Sequence, residues 1–317
     1  MSANEFKIIG KDLFESEKIA KPSMTFWQDV IRRIKMNKVA TISFWIIVAL
    51  TIMAIAGPFM SKFSYREQNL ENQFLFGSAA FAKGHYFGTD DFGRDLFTRV
   101  WEGTRVSLLI AVVIVAIQGT FGALYGGIAG FFGGKIDNLM MRFVEIIMAI
   151  PSLIYIILLM VVMGPGIKTI IIAIAATEWT SMALIVRGEV LRLKEQEYVM
   201  AAINLGASPS WIIIKHLIPN AMGQIIVRIT MDVPRVIFTE AFLSFLGIGV
   251  PAPFASLGSL VLDGGKATSA ATVDGYRLLS NGAHLFIIPA FFISLVTLAF
   301  NLLGDGLRDA LDPRLRK

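Results

Sequence analysis

The chain has 317 residues, 55% of them hydrophobic and 17% charged, with a mean hydropathy of +0.65, against about 45–50% apolar and about 25% charged in an ordinary soluble domain. It holds no cysteine, which excludes a disulfide framework, thiolate metal sites and a cysteine nucleophile. The net charge is +5, yet the basic residues are scattered among apolar runs and form no single soluble face, which argues against nucleic acid as a partner.

About 30 Å of hydrocarbon is crossed by roughly 20 helical residues, and six runs of the chain meet that length. Ahead of them, residues 1–38 read as a cytoplasmic tail. Glu5, Asp12, Glu15 and Glu17 stand among its lysines, so it lacks the basic-then-apolar pattern of a cleaved signal peptide. Residues 24–38 place Phe26, Trp27, Val30, Ile31 and Ile34 on one helical face and Arg32, Arg33, Lys35 and Lys38 beside the membrane. That pattern fits an amphipathic helix lying against membrane lipid, or a plain basic anchor.

The first span is 39–60, followed by a long loop to residue 105. The second, 106–132, is uncharged, and its Gly122, Gly126 and Gly130 make a small-residue stripe that another helix can approach closely. The third, about 143–163, carries only Glu145. A tight turn at Gly164-Pro165-Gly166 leads to the fourth, about 169–186, which carries only Glu178. The fifth, about 221–250, is interrupted by Arg228, Asp232, Arg235 and Glu240, and the sixth, 284–303, has no charged residue. Pro151, Pro234 and Pro289 remove backbone donors and mark kinks. The organisation expected is therefore an N-terminal tail (1–38), a first span with a long extracytoplasmic loop (39–105), a core of five spans (106–306) that includes a cytoplasmic loop at 192–220, and a C-terminal tail (307–317). Lys and Arg are twice as numerous in the tails and the loops on their side as in the other set of loops, which puts both termini in the cytoplasm.

Ionisable groups at helix centres cost at least about 2.5–3.5 kcal/mol, so they face protein or water. Arg228 and Asp232 are four apart and can pair along one face. Part of the set Glu178, Arg228, Asp232, Arg235 and Glu240 either lines a polar path able to accept a zwitterionic peptide or holds the bundle together as satisfied ion pairs. Glu145 has Arg142 close enough to neutralise it.

The segment 192–220 reads RLKEQEYVMAAINLGASPSWIIIKHLIPN. A helix over 195–205 ends at Gly206, Ser208 then caps a second helix with Pro209 at its first position, and the chain returns to the membrane at Pro219. Taken alone, this is either a membrane-parallel connector or a short exposed helix suited to a groove on another protein.

Ala201-Ala202, then Gly206 and Pro219, resembles the "EAA" loop of binding-protein-dependent ABC permeases. Met200 stands where that motif has glutamate, with Glu197 one turn earlier, and His216 and Ile218 replace the usual residues before the proline. Two further stretches, Phe87 to Leu96 (FGTDDFGRDL) and Asn301 to Arg314 (NLLGDGLRDALDPR), are similar to the peptide and nickel branch of that family, as is Leu243 to Val250 (LSFLGIGV). The resemblance covers about residues 25–317 and matches the C-type subunit of oligopeptide or dipeptide importers.

It implies an all-α integral membrane protein with six transmembrane helices in the type I ABC importer permease fold. It also implies an ATPase-coupling loop at Glu197, Met200, Ala201, Ala202, Gly206 and Pro219. The implied partners are a B-type permease, two ABC ATPases that carry the ATP and Mg, and an extracytoplasmic peptide-binding protein. Nickel is the alternative cargo, and an ion-coupled transporter or channel the alternative class. The chain itself is expected to hold no catalytic residue, cofactor or metal. Its nearest approach to a phosphate-cradling loop, Gly264-Gly265-Lys266-Ala267-Thr268, has Ala after the lysine and lacks the earlier glycine, and His85, His216 and His284 are far apart with no zinc-binding helix pattern.

Overall fold

The computed structural model describes residues 26–270 and 282–311. The tail residues 1–25 and 312–317, with Arg314, Arg316, Lys317 and the end of the NLLGDGLRDALDPR stretch, lie outside the described residues.

Helix α1 (Phe26–Met36) leads through one residue, Asn37, into α2 (Lys38–Met60). The Asn37 side chain accepts from the Ala40 N–H at 3.1 Å, the usual N-cap arrangement. Along α1, Val30 and Ile34 pack on Ala310 and Leu311, while Trp27 and Ile31 remain exposed. Its apolar face is thus divided between protein and surroundings.

Helix α3 spans Leu96–Phe132 with a π turn at Gln118–Gly122. It begins ten residues earlier than the uncharged run suggests, because Asp95 caps it by accepting from Thr98 N at 2.9 Å and the charges of its first turns are paired: Arg99 with Asp263 at 3.2 Å, Arg105 with Glu102 at 2.8 Å.

The third apolar run is not one straight span. It breaks into α4 (Gly134–Ala149) and α5 (Ser152–Met163), bent by 78°. Pro151 offers no N–H, and a residue preceding proline is driven out of the helical region; Ile150 is extended, with φ −99° and ψ 128°. Gly164, at φ +80°, turns the chain into α6 (Ile167–Lys194).

Short α7 (Glu197–Asn204) then precedes α8, one helix over Pro209–Phe245 with a π turn at Ile213–Leu217. The second helix expected from Pro209 thus runs without a break through Pro219. Pro219 lies inside the helix, immediately after the π turn. An α ladder would leave the Lys215 carbonyl without the donor that Pro219 lacks, and the widened turn contains that carbonyl.

Helices α9 (Leu257–Ala270) and α10 (Ala283–Leu311) complete the described chain. Among the described residues five helices are long and apolar enough to cross a membrane, and the bent pair α4–α5 makes six.

The main core joins α2, α3, α5, α6, α8, α9 and α10 through fully buried residues such as Ile110, Ile114, Ile174 and Ile237. A second cluster, with Met182, Val186, Val199 and Leu217, ties α6, α7 and α8 together below it. The glycine stripe lies on α6: a methyl group on Gly122, Gly126 or Gly130 would collide with the Trp179, Ala183 or Arg187 carbonyl respectively. Such backbone-to-backbone contact is how membrane helices associate where hydrocarbon gives no hydrophobic drive.

Candidate functional site

Three polar assemblies sit on this frame. The first is the loop carrying α7. Gly206 N donates to Ile203 O at 3.0 Å and Ala207 N to Ala202 O at 3.1 Å, the paired bonds of a Schellman turn. Gly206 has φ +80° with open space where a Cβ would go, so glycine is required there by backbone conformation and not by crowding. Ser208 caps the next helix, its Oγ accepting from Trp211 N at 3.4 Å, with Pro209 at its first position. Val199 is fully buried and anchors α7 in the second cluster, with Ala202 and Ala207 packed against it. Glu197, Met200, Ala201 and Gly206 point outward, Leu205 is 88% exposed, and Pro219 lies on the exposed side of α8. The position where glutamate was expected, Met200, therefore faces out.

The second assembly is a chain of charges inside the bundle. Arg228 Nε meets Asp232 Oδ2 at 2.9 Å, Arg235 meets Asp232 Oδ1 at 3.3 Å, and Arg235 also pairs with Glu178 of α6. The i,i+4 pair was legible from spacing; the link from α8 to Glu178, 57 residues away, required the tertiary fold. Asp232 is additionally held by Gln118 Nε2 of α3. Gln118 was not singled out from the sequence, since it is one amide in an otherwise apolar run. The acids are withdrawn, with Asp232 4% and Glu178 17% exposed, while the Arg228 and Arg235 side chains are 31% and 42% exposed. The accessible edge of a nominally neutral network is thus cationic.

Glu240 is not brought to that chain. Fully buried, it accepts from Ser107 Oγ at 3.0 Å, Ser244 Oγ at 2.8 Å and Ser256 Oγ at 2.6 Å. These hydroxyls come from α3, α8 and the lead-in to α9, and sequence spacing could have flagged only Ser244. Glu145, as expected, pairs with Arg142 at 2.9 Å on an exposed face.

The third assembly fills the loop 61–95. The FGTDDFGRDL stretch folds into a tight turn in which Asp90 Oδ1 accepts from Phe92 N and Arg94 N, both at 2.9 Å, and Asp90 Oδ2 meets Arg94 Nε at 2.6 Å. His85 Nδ1 lies 2.9 Å from Asp95. Burial pushes the carboxyl of Asp263 on α9 up, and Arg99 and Arg94 pull against it; burial and neighbouring Asp90 push Asp91 the same way.

A bundle of five long apolar helices and one bent apolar pair, all-helical among the described residues apart from an isolated bridge between Thr89 and Asp95, defines the class: a multi-pass helical membrane protein. Residues 122–317 match the binding-protein-dependent transport system inner membrane component, and residues 25–77 match the N-terminal TM domain of oligopeptide transport permease C. The chain belongs to this family of transport permeases and has its type I importer permease fold.

It is 48% identical over 303 residues to the dipeptide transport system permease protein of Bacillus subtilis (strain 168), covering 96% of this chain and 90% of that one. Identity to the oligopeptide transport system permease protein of the same organism is 47%, covering 99% and 98%. The oligopeptide permease of Haemophilus influenzae is 40% identical, covering 95% and 92%. A solved structure, that of an amino acid ABC transporter with histidines, aligns with a TM-score of 0.46 and 19% identity, covering 66% of this chain and 92% of that one.

Proposed function

We propose that this chain is one of two permease subunits of an ATP-driven importer, forming with a B-type permease the path by which dipeptides or oligopeptides cross a bacterial cell membrane. Peptide as cargo is supported by relatives named for dipeptide and oligopeptide transport at 48% and 47% identity over nearly the whole chain. The nickel alternative has no counterpart among those relatives, and membership of a binding-protein-dependent family speaks against a self-sufficient channel or ion-coupled transporter. ATP and Mg belong to two separate ATPase subunits, and an extracytoplasmic peptide-binding protein delivers the cargo. Both termini face the cytoplasm, in keeping with the distribution of Lys and Arg.

The observation that carries the mechanism is the continuity of α8. It starts at the Gly206–Pro209 turn and itself bears Arg228, Asp232 and Arg235. Closure of the ATPases presses on the exposed face of α7, at Glu197, Met200 and Ala201, and Ala202 beneath them seats α7 on the second cluster. The Schellman turn at Gly206 passes that displacement to α8 without an intervening flexible loop. Axial movement of α8 past α6 then re-aims the guanidinium edges of Arg228 and Arg235 relative to Glu178. Those edges suit the carboxylates and carbonyl oxygens of a peptide. Glu240, sealed by serines, holds α3, α8 and the start of α9 together.

Affinity purification tests the assignment. ATPases are expected to co-purify with the wild-type chain and to be lost with Gly206→Asp or Ala202→Asp at normal protein levels. ATP-independent flux from the chain alone in liposomes would instead reveal a channel or ion-coupled carrier. Uptake of labelled di- and oligopeptides, set against nickel, in a deletion strain tests the cargo.

A further inference from the structure

Gln118 lies completely buried in α3, at the first residue of its π turn. An amide inside a membrane bundle is tolerated when its polar atoms are paired. Only one end of this one is: Nε2 donates to Asp232 Oδ2, the oxygen that Arg228 also reaches. Its Oε1 is buried without a hydrogen-bond partner among the described residues. A side chain serving packing alone would be apolar here, so the half-satisfied amide points to a role at its bound end.

The π turn supplies the geometry. In an unbroken α ladder, residues 118, 122, 126 and 130 would form a single stripe. Gly122, Gly126 and Gly130 do meet α6, but Gln118 meets α8, and a methyl on neighbouring Gly119 would strike Ile229 of α8. One extra residue in the widened turn rotates the two halves of α3 by about 100° relative to each other. The glycine seam is thereby kept on α6 while the amide is delivered to Asp232. Neither contact is available to both halves of a regular helix.

We propose that Gln118 is a positioning residue of the charged chain: its amide pins Asp232, and through Asp232 fixes the guanidinium edges that Arg228 and Arg235 offer to the cargo. This rests on reading that chain as part of the peptide path. Asp232 has both oxygens engaged, Oδ2 by Gln118 and Arg228 and Oδ1 by Arg235. Loss of the amide frees the carboxylate to turn toward the two arginines and slackens the Arg235–Glu178 contact. What changes is the direction of the exposed positive charge, so discrimination between peptides with acidic and neutral side chains changes with it.

A reciprocal swap in the complete importer, assayed by uptake of one acidic and one neutral labelled peptide at measured protein levels, decides this. Gln118→Glu sets two carboxylates against each other, and Asp232→Asn removes the acid both arginines share. Each is expected to lower uptake by about three- to tenfold and to alter the acidic-to-neutral ratio. The Gln118→Glu/Asp232→Asn pair restores one amide facing one carboxylate with unchanged net charge, and is expected to recover both rate and ratio to within about twofold of the wild type. Losses that multiply in the double variant with an unchanged ratio would overturn the proposal in favour of packing. If Gln118→Glu does not accumulate, Gln118→Met replaces it: an altered ratio at normal protein level supports positioning, an unaltered one refutes it. Arg228→Gln and Arg235→Gln separate the two layers. Unchanged rate and ratio in both would sink the path itself, whereas changed ratios with no recovery in the swap would sink only the role of Gln118.

Discussion

Asp232 and Glu240 are eight residues apart on α8, about two turns, and both are buried carboxylates in a membrane bundle. Their surroundings are opposite. Asp232 is held by two arginines and an amide, and the arginines reach open space. Glu240 is held by three serine hydroxyls and reaches nothing outside its cage. Hydroxyl donors compensate burial locally, whereas arginines compensate it while carrying charge to an accessible surface. On the function proposed above, one carboxylate serves assembly and the other serves traffic, although a sequence reading groups them as interruptions of a single span.

The harshest way to break this contrast is Glu240→Ala, which leaves three hydroxyls without their acceptor and opens a cavity. A loss of about 3–5 kcal/mol is expected, read as a lower unfolding temperature of the detergent-solubilised complex and a depleted membrane pool. Glu240→Gln keeps an acceptor and should retain most of both, with normal uptake per molecule. Next comes Arg235→Gln, where uptake is expected to fall about tenfold, the scale of one charge-assisted hydrogen bond, with unfolding temperature nearly unchanged because this side chain is 42% exposed. If the two variants exchanged phenotypes, the division between assembly and traffic would be wrong.

Smaller effects sharpen the picture at either end of α8. Gly206→Ala forces a side chain into a left-handed backbone at a cost of about 1 kcal/mol; partial loss of ATPase co-purification is expected, and wild-type retention would mean the turn is no relay. At the sealed end, α9 is tied to α3 by Arg99–Asp263. Burial raises the Asp263 carboxyl above its unfolded value of about 3.9. The folded state thus holds that proton more tightly, so the group contributes stability below the unfolded value and loses it as pH rises through the raised one. Asp263→Asn is expected to flatten the gain in unfolding temperature on mild acidification, and an unaltered pH slope would contradict that.

Much of this was legible in the sequence. Uncharged runs gave the spans, the glycine stripe gave a close helix contact, and Gly206, Ser208 and Pro209 gave the turn between α7 and α8. The start of α3 was missed because a charge count cannot see partners: Arg99 is neutralised by distant Asp263, and Glu102 by Arg105 one turn along the same helix. The π turns carry no compositional mark, and so Gln118 and the rotation that aims it were invisible. Pro151 was legible as a kink, but the 78° bend that makes two helices of one run was not. The pairing of Glu178 with Arg235, like the meeting of Ser107 and Ser256 at Glu240, depends on which helices become neighbours.

The glycine seam between α3 and α6 has one further consequence. Carbonyls sit where side chains would otherwise cushion the contact. The same two helices are bolted at their lower ends by Lys194 Nζ on the Phe131 carbonyl, and α6 is bolted to α4 by the two-pronged Arg187–Asp137 pair. A joint so tight cannot slide in small steps, because any shift drives backbone into backbone. In the mechanism proposed above this joint is the stator, and the stroke falls to α8, which meets α3 and α6 through side chains, among them Ile229, Asp232, Arg235 and Glu240.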